Sequence, residues 1–231
     1  RLAEFYERAG EVECMGKDER VGAVSAIGAV SPPGGDISEP VSQATLRIVK
    51  VFWCLSSALA YARHFPAIDW LQSYSLYSDR LRKYYDAKVA PDWSKLVGTT
   101  MEILQEEANL NEIVRLVGID ALGFKDRITM ECARSIREDF LHQNSFHEVD
   151  TYTSLEKQYD MLKLIITWYQ KALDLSGKHI ALDRIIDMPV REQIGRAKYI
   201  PESERDEKFA QLFKDLDQAF ADLTEEGGDN A

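Results

Sequence analysis

The apolar residues in the second half of the chain recur at steps of three and four, and no other feature constrains the fold as strongly. Because such steps place side chains on one face of an α-helix, each series predicts an amphipathic helix with one buried stripe. The clearest series is Leu155, Tyr159, Leu162, Ile166, Tyr169 and Leu173. A second series precedes a Gly-Gly pair that favours a helix end, and it consists of Phe209, Leu212, Phe213, Leu216, Phe220 and Leu223.

Two further helices are predicted upstream of these stripes. One covers residues 126–141, and the other, long or broken, carries an apolar series made of Leu96, Ile103, Leu104, Ile113, Leu116 and Val117. Such helices bury their stripes by packing against one another. The second half therefore predicts a bundle of four to six helices.

The first part of the chain has a different pattern. Residues 20–30 (RVGAVSAIGAV) and 50–57 (KVFWCLSS) are short, nearly continuous apolar runs. Such runs are typical of strands buried on both faces of a parallel sheet. Residues 31–40 (SPPGGDISEP) contain three prolines and two glycines, so they predict a structured loop. The expected fold class is mainly α with a partial α/β part, divided into residues 1–78 and 79–231.

Composition excludes several classes of protein. Hydrophobic residues make up 45% of the 231 residues, which is ample for a core, and the net charge of −11 argues against a nucleic-acid surface. Cys14, Cys54 and Cys132 lie far apart, so neither a disulfide framework nor a zinc site is indicated and a reducing cytoplasm is expected. No apolar run approaches the ~18–20 residues needed to cross a bilayer, so no direct membrane insertion is expected.

Five long strings identify a resemblance that covers almost the whole chain. They are RLAEFYERAG at 1–10, GAVSPPGGDISEPV at 28–41, HFPAIDWLQSYSLY at 64–77, QNSFHEVDTYTSLEKQ at 143–158 and IGRAKYIPE at 194–202. In this order they resemble the catalytic A (alpha) subunit of archaeal and bacterial V/A-type ATP synthases. The resemblance implies the C-terminal part of a RecA-like nucleotide-binding domain at 1–78, followed by a C-terminal helical bundle domain.

The family couples ATP hydrolysis or synthesis to proton or sodium translocation, with ATP or ADP and Mg bound to the intact subunit. Its chemistry needs a GxxxxGK[ST] phosphate loop, a catalytic glutamate and a magnesium-supporting aspartate. The only Gly-Lys pairs here, at Gly16 and Gly177, lack the hydroxyl residue and the upstream glycine. We therefore expect this chain alone to be inactive and to hold no cofactor, with no catalytic or metal residue of its own. Its start at Arg1 indicates a sequence taken from within a longer reading frame.

Four residues are implied as contacts to the nucleotide. Phe65 and Phe146 lie where the family places the two aromatic walls of its adenine pocket, and ring stacking on both faces of a purine suits that role. Without the resemblance, either phenylalanine would be interpreted as a core residue. Gln143 and Asn144 flank the same turn and either meet the adenine edge or cap the turn.

Two further segments are implied as contacts to the central stalk. Asp36, Ser38 and Glu39 form the polar tip of the Pro-Gly loop, although that loop also suits a simple rigid connector. The loop at 118–126 lies where related F-type subunits carry an acidic lever. Here it has only two acids and a lysine, so Leu122 and an exposed Phe124 would have to act by shape and apolar contact; the alternative is an ordinary helix hairpin.

The expected partners are the B subunits of an A3B3-type hexamer, the central stalk subunits and the peripheral stalk. The expected location is cytoplasmic, peripheral to the membrane, in the soluble head of the complex. Two alternatives stay open at this point. One is a non-catalytic helical interaction protein derived from this family, and the other is the non-catalytic B subunit of the same hexamer.

Overall fold

The computed structural model describes residues 2–16, 19–178 and 180–228, and the chain forms two compact units. The first comprises Arg1–Trp53 and Ser73–Tyr77, and the second comprises Cys54–Gln72 and Ser78–Ala231. The second unit thus includes residues 54–72 as well as the helices from Ser78 onward. The predicted division at residue 78 stays a prediction.

The described elements run in this chain order. The helices are α1 (Leu2–Tyr6), α2 (Pro40–Leu46), α3 (Ser57–Tyr61), α4 (Ser78–Lys88), α5 (Trp93–Val117), α6 (Phe124–Ser135), α7 (Leu155–Leu173), α8 (Leu182–Ile186), α9 (Pro189–Arg196) and α10 (Arg205–Gly228). The strands are β1 (Gly10–Glu13), β2 (Val21–Val24), β3 (Val51–Phe52) and β4 (Tyr74–Ser75). A π-helical segment, Ile136–Leu141, continues α6.

The strands of the first unit differ from the prediction of a buried parallel sheet, which is wrong. β1 pairs antiparallel with β2, with Gly10 opposite Val24, and β3 pairs antiparallel with β4. The apolar side chains Val12 and Val21 are exposed. An apolar run identifies a strand but not its partner, and a short connection allows an antiparallel pair where a parallel pair would need a long crossover.

The loop between the predicted strands has the defined structure that its prolines and glycines predict. Gly34 and Gly35 adopt φ of 65° and 76°, which side chains with a Cβ rarely tolerate. Glu39 then caps α2, because its carboxylate accepts a 2.7 Å hydrogen bond from the Ser42 amide. The loop ends where Pro40 begins the helix.

The second unit is built around α7, which packs against α5, α6, α9 and α10. Its predicted stripe is confirmed in that Leu162 and Ile166 are buried, while Tyr159, Tyr169 and Leu173 pack partly buried against the core. Five helices of the second unit have more than ten residues among those described: α4, α5, α6, α7 and α10. Each fully buried leucine or isoleucine contributes about 1.5–3 kcal/mol. The apolar core between these helices is therefore the main source of the stability of the second unit.

Two details of the helical prediction are wrong. Ile113, Leu116 and Val117, expected in the core, are exposed in the last turns of α5, with Leu116 at 85%. Phe124, expected to be exposed, is partly buried against the core, and Leu122 is buried. The reason is helical spacing, because Phe124 begins α6 four residues before the fully buried Ile128 and shares its inward face.

None of the helices that the structure describes is both long enough and apolar enough to cross a membrane.

Candidate functional site

The segment that carries Phe65 is a closed loop. The Ser56 amide donates to the Ala67 carbonyl at 2.8 Å, and the Asp69 amide donates to the Cys54 carbonyl at 2.7 Å. These bonds close the loop at its base, and Phe65 lies two residues before Ala67 of the closing pair. Half of the Phe65 side chain is exposed.

The segment that carries Phe146 is a turn, residues 142–150, built from its own hydrogen bonds. It is called the Phe146 turn below. The Asn144 side-chain oxygen accepts from the Phe146 amide at 3.0 Å, and the buried Asp150 carboxylate accepts from the Asn144 amide at 2.6 Å. His147 Nδ1 accepts from the Val149 and Asp150 amides at 3.2 and 3.3 Å. The Phe146 ring projects from this turn with 97% of its surface exposed.

One backbone hydrogen bond joins the two segments. The Gln143 amide donates to the Phe65 carbonyl at 2.7 Å, although the two residues are far apart in sequence. His64 Nε2 lies 2.8 Å from the Arg137 carbonyl, and its ring lies 5.3 Å from that of His142. The structure therefore brings the Phe65 loop and the start of the Phe146 turn together.

Buried and partly buried polar groups surround this junction. Arg137, whose carbonyl meets His64, also pairs through its guanidinium with the buried carboxylate of Glu107 at 2.9 Å. Because the Arg137 carbonyl can only accept, His64 Nε2 must be the donor, and the buried Nδ1 then has no hydrogen-bond partner among the described residues. Burial lowers the pKa of His142, and the nearby Lys198 charge lowers it further. A neutral His142 ring therefore fits this junction.

The side chains of Gln143 and Asn144 serve the turn. Gln143 Nε2 donates to the Asp150 carbonyl at 2.6 Å, and Asn144 accepts from the Phe146 amide. This geometry fits the turn-capping alternative. Contact of either amide with a ligand stays a prediction.

The acids predicted for a stalk contact are organised by their own loop. Asp36 accepts from the Ser38 amide and hydroxyl at 2.9 and 2.6 Å, and these bonds lower the Asp36 pKa. The hydrogen bond from the Ser42 amide lowers the pKa of Glu39. Both side chains are therefore charged at neutral pH and held in place. The contact they make with another subunit stays a prediction.

The sequence analysis missed two buried lysines beside the turn. Lys157 is fully buried and its ammonium donates to the Lys198 carbonyl at 2.8 Å. Lys198 is 7% exposed and donates to two further carbonyls. Lysines are seldom buried, so their type alone predicts a surface position. The one available signal was the string IGRAKYIPE, in which Lys198 lies between residues of apolar character.

Across the residues described, no group of three or more His, Cys, Asp and Glu side chains is arranged to hold a metal ion.

Two family models match consecutive parts of the chain, and together they define its class, the ATP synthase subunits. Residues 1–75 match the nucleotide-binding domain of the ATP synthase alpha/beta family, and residues 82–182 match the C-terminal domain of V and A type ATP synthase. The chain belongs to the family of V-type ATP synthase alpha chains and matches their C-terminal portion. The resemblance seen in the five strings is confirmed.

Individual relatives support this assignment along the whole chain. The V-type ATP synthase alpha chain of Thermoanaerobacter pseudethanolicus is 60% identical over 231 residues, which cover 100% of this chain and 39% of that one. The alpha chain of Acetivibrio thermocellus is 61% identical over 218 residues, which cover 94% of this chain and 37% of that one. The chain thus spans about two fifths of the length of these relatives.

A solved structure supports the fold. The ATP synthase subunit NeqB from Nanoarcheaum equitans superposes with a TM-score of 0.59, at 23% identity, over 73% of this chain and 38% of that one. At this identity the similarity concerns the fold alone.

Proposed function

We propose that this chain completes the adenine side of the nucleotide site in the catalytic subunit of a rotary V/A-type ATPase. Phe65 and Phe146 supply the aromatic walls. The observation that carries the proposal is the 2.7 Å hydrogen bond from the Gln143 amide to the Phe65 carbonyl, which joins the loop of one ring to the turn of the other.

The exposure of Phe146 supports a role in binding. A phenylalanine held on a hydrogen-bonded turn with 97% of its surface exposed gains little from packing within this chain. A flat purine that covers such a ring removes apolar surface from water, and offset stacking adds about 0.5–1.5 kcal/mol. Phe65, half exposed, offers a second ring in the same way.

The remaining chemistry belongs to sequence that this chain does not contain. Neither the phosphate loop nor the catalytic glutamate is present, so the chain alone is proposed to be inactive toward ATP, and ATP or ADP with Mg would bind only to the intact subunit. In that setting the subunit works with B subunits and with the central and peripheral stalks. It then lies in the cytoplasmic head of the complex and is coupled to proton or sodium transport.

The positions of the side chains support a stalk contact by one of the two segments and a different part for the other. Asp36, Ser38 and Glu39 present fixed charge and hydroxyl groups that suit arginines on a turning shaft. Leu122 is buried and Phe124 partly so. Their proposed part is therefore to shape the loop between α5 and α6.

The nucleotide assignment is tested by the substitution Phe146→Ala in the intact alpha chain, assembled with its partner subunits. Loss of ring stacking should raise the KM for ATP about tenfold, which corresponds to about 1.4 kcal/mol, with little change in kcat. The measurement is steady-state ATP hydrolysis at a series of ATP concentrations.

A matched control is Tyr152→Ala, which removes another exposed aromatic ring from the same part of the chain. It should leave the KM for ATP unchanged, and Phe146→Trp should retain the wild-type value. An unchanged KM in Phe146→Ala would remove Phe146 from the nucleotide site.

A further inference from the structure

The string IGRAKYIPE is not part of the proposed nucleotide contact, yet two of its residues, Lys198 and Tyr199, contact the Phe146 turn. The ammonium of Lys198 donates to the carbonyls of Glu138 and His142, at 3.0 and 3.3 Å. These carbonyls lie at the C-terminal end of the helical segment that continues α6, where backbone acceptors lack partners and carry partial negative charge. A buried cation is favourable there because it is hydrogen-bonded to those acceptors.

A second buried lysine fixes the backbone of the first. Lys157, in α7, donates to the Lys198 carbonyl at 2.8 Å. Burial lowers the pKa of the Lys157 ammonium, and the carboxylates of Glu202 and Asp150 oppose that shift. The backbone carbonyl of Lys198 is thus bonded to α7. Its side chain is bonded to His142, the first residue of the turn.

Tyr199 supports the other end of the turn. Its ring centroid lies 4.5 Å from that of His147. His147 in turn orients Asp150, whose carboxylate accepts from the Asn144 amide. Lys198 therefore contacts the turn at His142, and Tyr199 contacts it at His147. Neither contact uses the exposed Phe146 ring.

We propose that Lys198 and Tyr199 are positioning residues that fix the Phe146 ring for nucleotide binding. An exposed ring has no packing of its own to fix it, so its place depends on the backbone that carries it. A turn ordered in advance loses less conformational freedom when the ligand binds, and this preorganisation raises affinity. The inference rests on the proposed function, since it requires Phe146 to contact the nucleotide.

The primary test is Lys198→Met in the intact alpha chain within the assembled complex. Methionine keeps most of the apolar stem and removes both hydrogen bonds. The KM for ATP should rise about two- to tenfold, the range expected when a binding side chain must be ordered by the ligand, while kcat stays within about twofold. Lys198→Arg, which can donate to both carbonyls, should restore a KM close to that of the wild type. A Lys198→Met enzyme with an unchanged KM would overturn the inference.

A double-mutant cycle separates positioning from general damage. If Lys198 acts through Phe146, the KM of the double variant Phe146→Ala, Lys198→Met should not exceed that of Phe146→Ala alone. Multiplicative increases in KM would show that Lys198 acts by another route and would overturn the inference. An unchanged KM in Phe146→Ala would instead remove the proposed function itself, so the two failures are distinguishable.

Three further variants separate the proposed role from misfolding. Arg191→Met removes another well-buried cation, one that donates to the Ile186 carbonyl and to Glu131, away from the turn. It should lower the melting temperature and leave the KM unchanged. If Lys198→Met does not assemble, Tyr199→Leu tests the ring contact between Tyr199 and His147 while both lysines stay in place. It should raise the KM, and Tyr199→Phe, which keeps the ring, should not; equal KM values for the two would overturn the inference.

Discussion

At the scale of single residues, Asp139 is a carboxylate whose surroundings oppose its charge. Burial raises its pKa, and Glu138 adds to the rise, while a hydrogen bond from Ser135 and the charges of Lys198 and Arg191 act in the other direction. Because the folded pKa lies above the unfolded value, folding favours the protonated form. The stabilisation of the folded chain by protonated Asp139 is present at pH values below the unfolded pKa of 3.8. It is lost as the pH rises through the folded pKa.

The substitution Asp139→Asn should therefore stabilise the folded chain at pH 7, because asparagine resembles the protonated acid. We expect a gain of about 1 kcal/mol in the free energy of unfolding, a typical size for one substitution. The gain should shrink toward zero as the pH falls toward the unfolded pKa. Urea unfolding of both proteins at several pH values measures this difference, and a variant less stable than wild type at pH 7 would contradict the assignment.

At the scale of elements, two glycines of one helix should respond in opposite ways to alanine. Gly98 lies within α5 with open space around it, so Gly98→Ala should stabilise the fold by about 0.5–1 kcal/mol. Gly118 ends α5 with φ of 87° and ψ of 163°, a region open essentially to glycine alone. Gly118→Ala should cost about 1–3 kcal/mol. Thermal unfolding of the pair tests this, and equal shifts of the melting temperature would refute it.

The elements also show how much the sequence could predict. α7 and α10 follow from apolar stripes because helical spacing and burial on one face are the same physical fact. The partner of β2 does not follow, since an apolar strand is compatible with either direction of pairing. The exposed Leu116 was misjudged because hydropathy gives the type of a side chain and not what surrounds it.

At the scale of the whole molecule, the candidate site depends on contacts that no sequence pattern records. Phe65 and Phe146 were predicted from a family resemblance, but the bond that joins their segments uses the backbone of Gln143 and Phe65. Any residue other than proline could donate it, so side-chain identities carry no signal for it. Lys198 was missed for the related reason that it binds carbonyl groups.

The two compact units differ in their buried apolar content, and this difference should govern how the chain opens. Among the described residues of the first unit, the buried side chains are those of Ser42 and Thr45, whereas the apolar core lies in the second unit. A two-stranded hairpin such as β1 and β2 is marginal in water without an apolar face to cover. The first unit should therefore open locally far more readily than the second.

Hydrogen exchange of the 231-residue chain measures this opening. Amides of β1 and β2 should exchange about a thousandfold faster, relative to their intrinsic rates, than amides in the middle of α7, a difference of about 4 kcal/mol in opening free energy. The helix α4, which has no buried residue, is the internal control and should also exchange faster than α7. If the β2 amides were as protected as those of α7, the stability of the first unit would have to come from contacts other than buried apolar side chains.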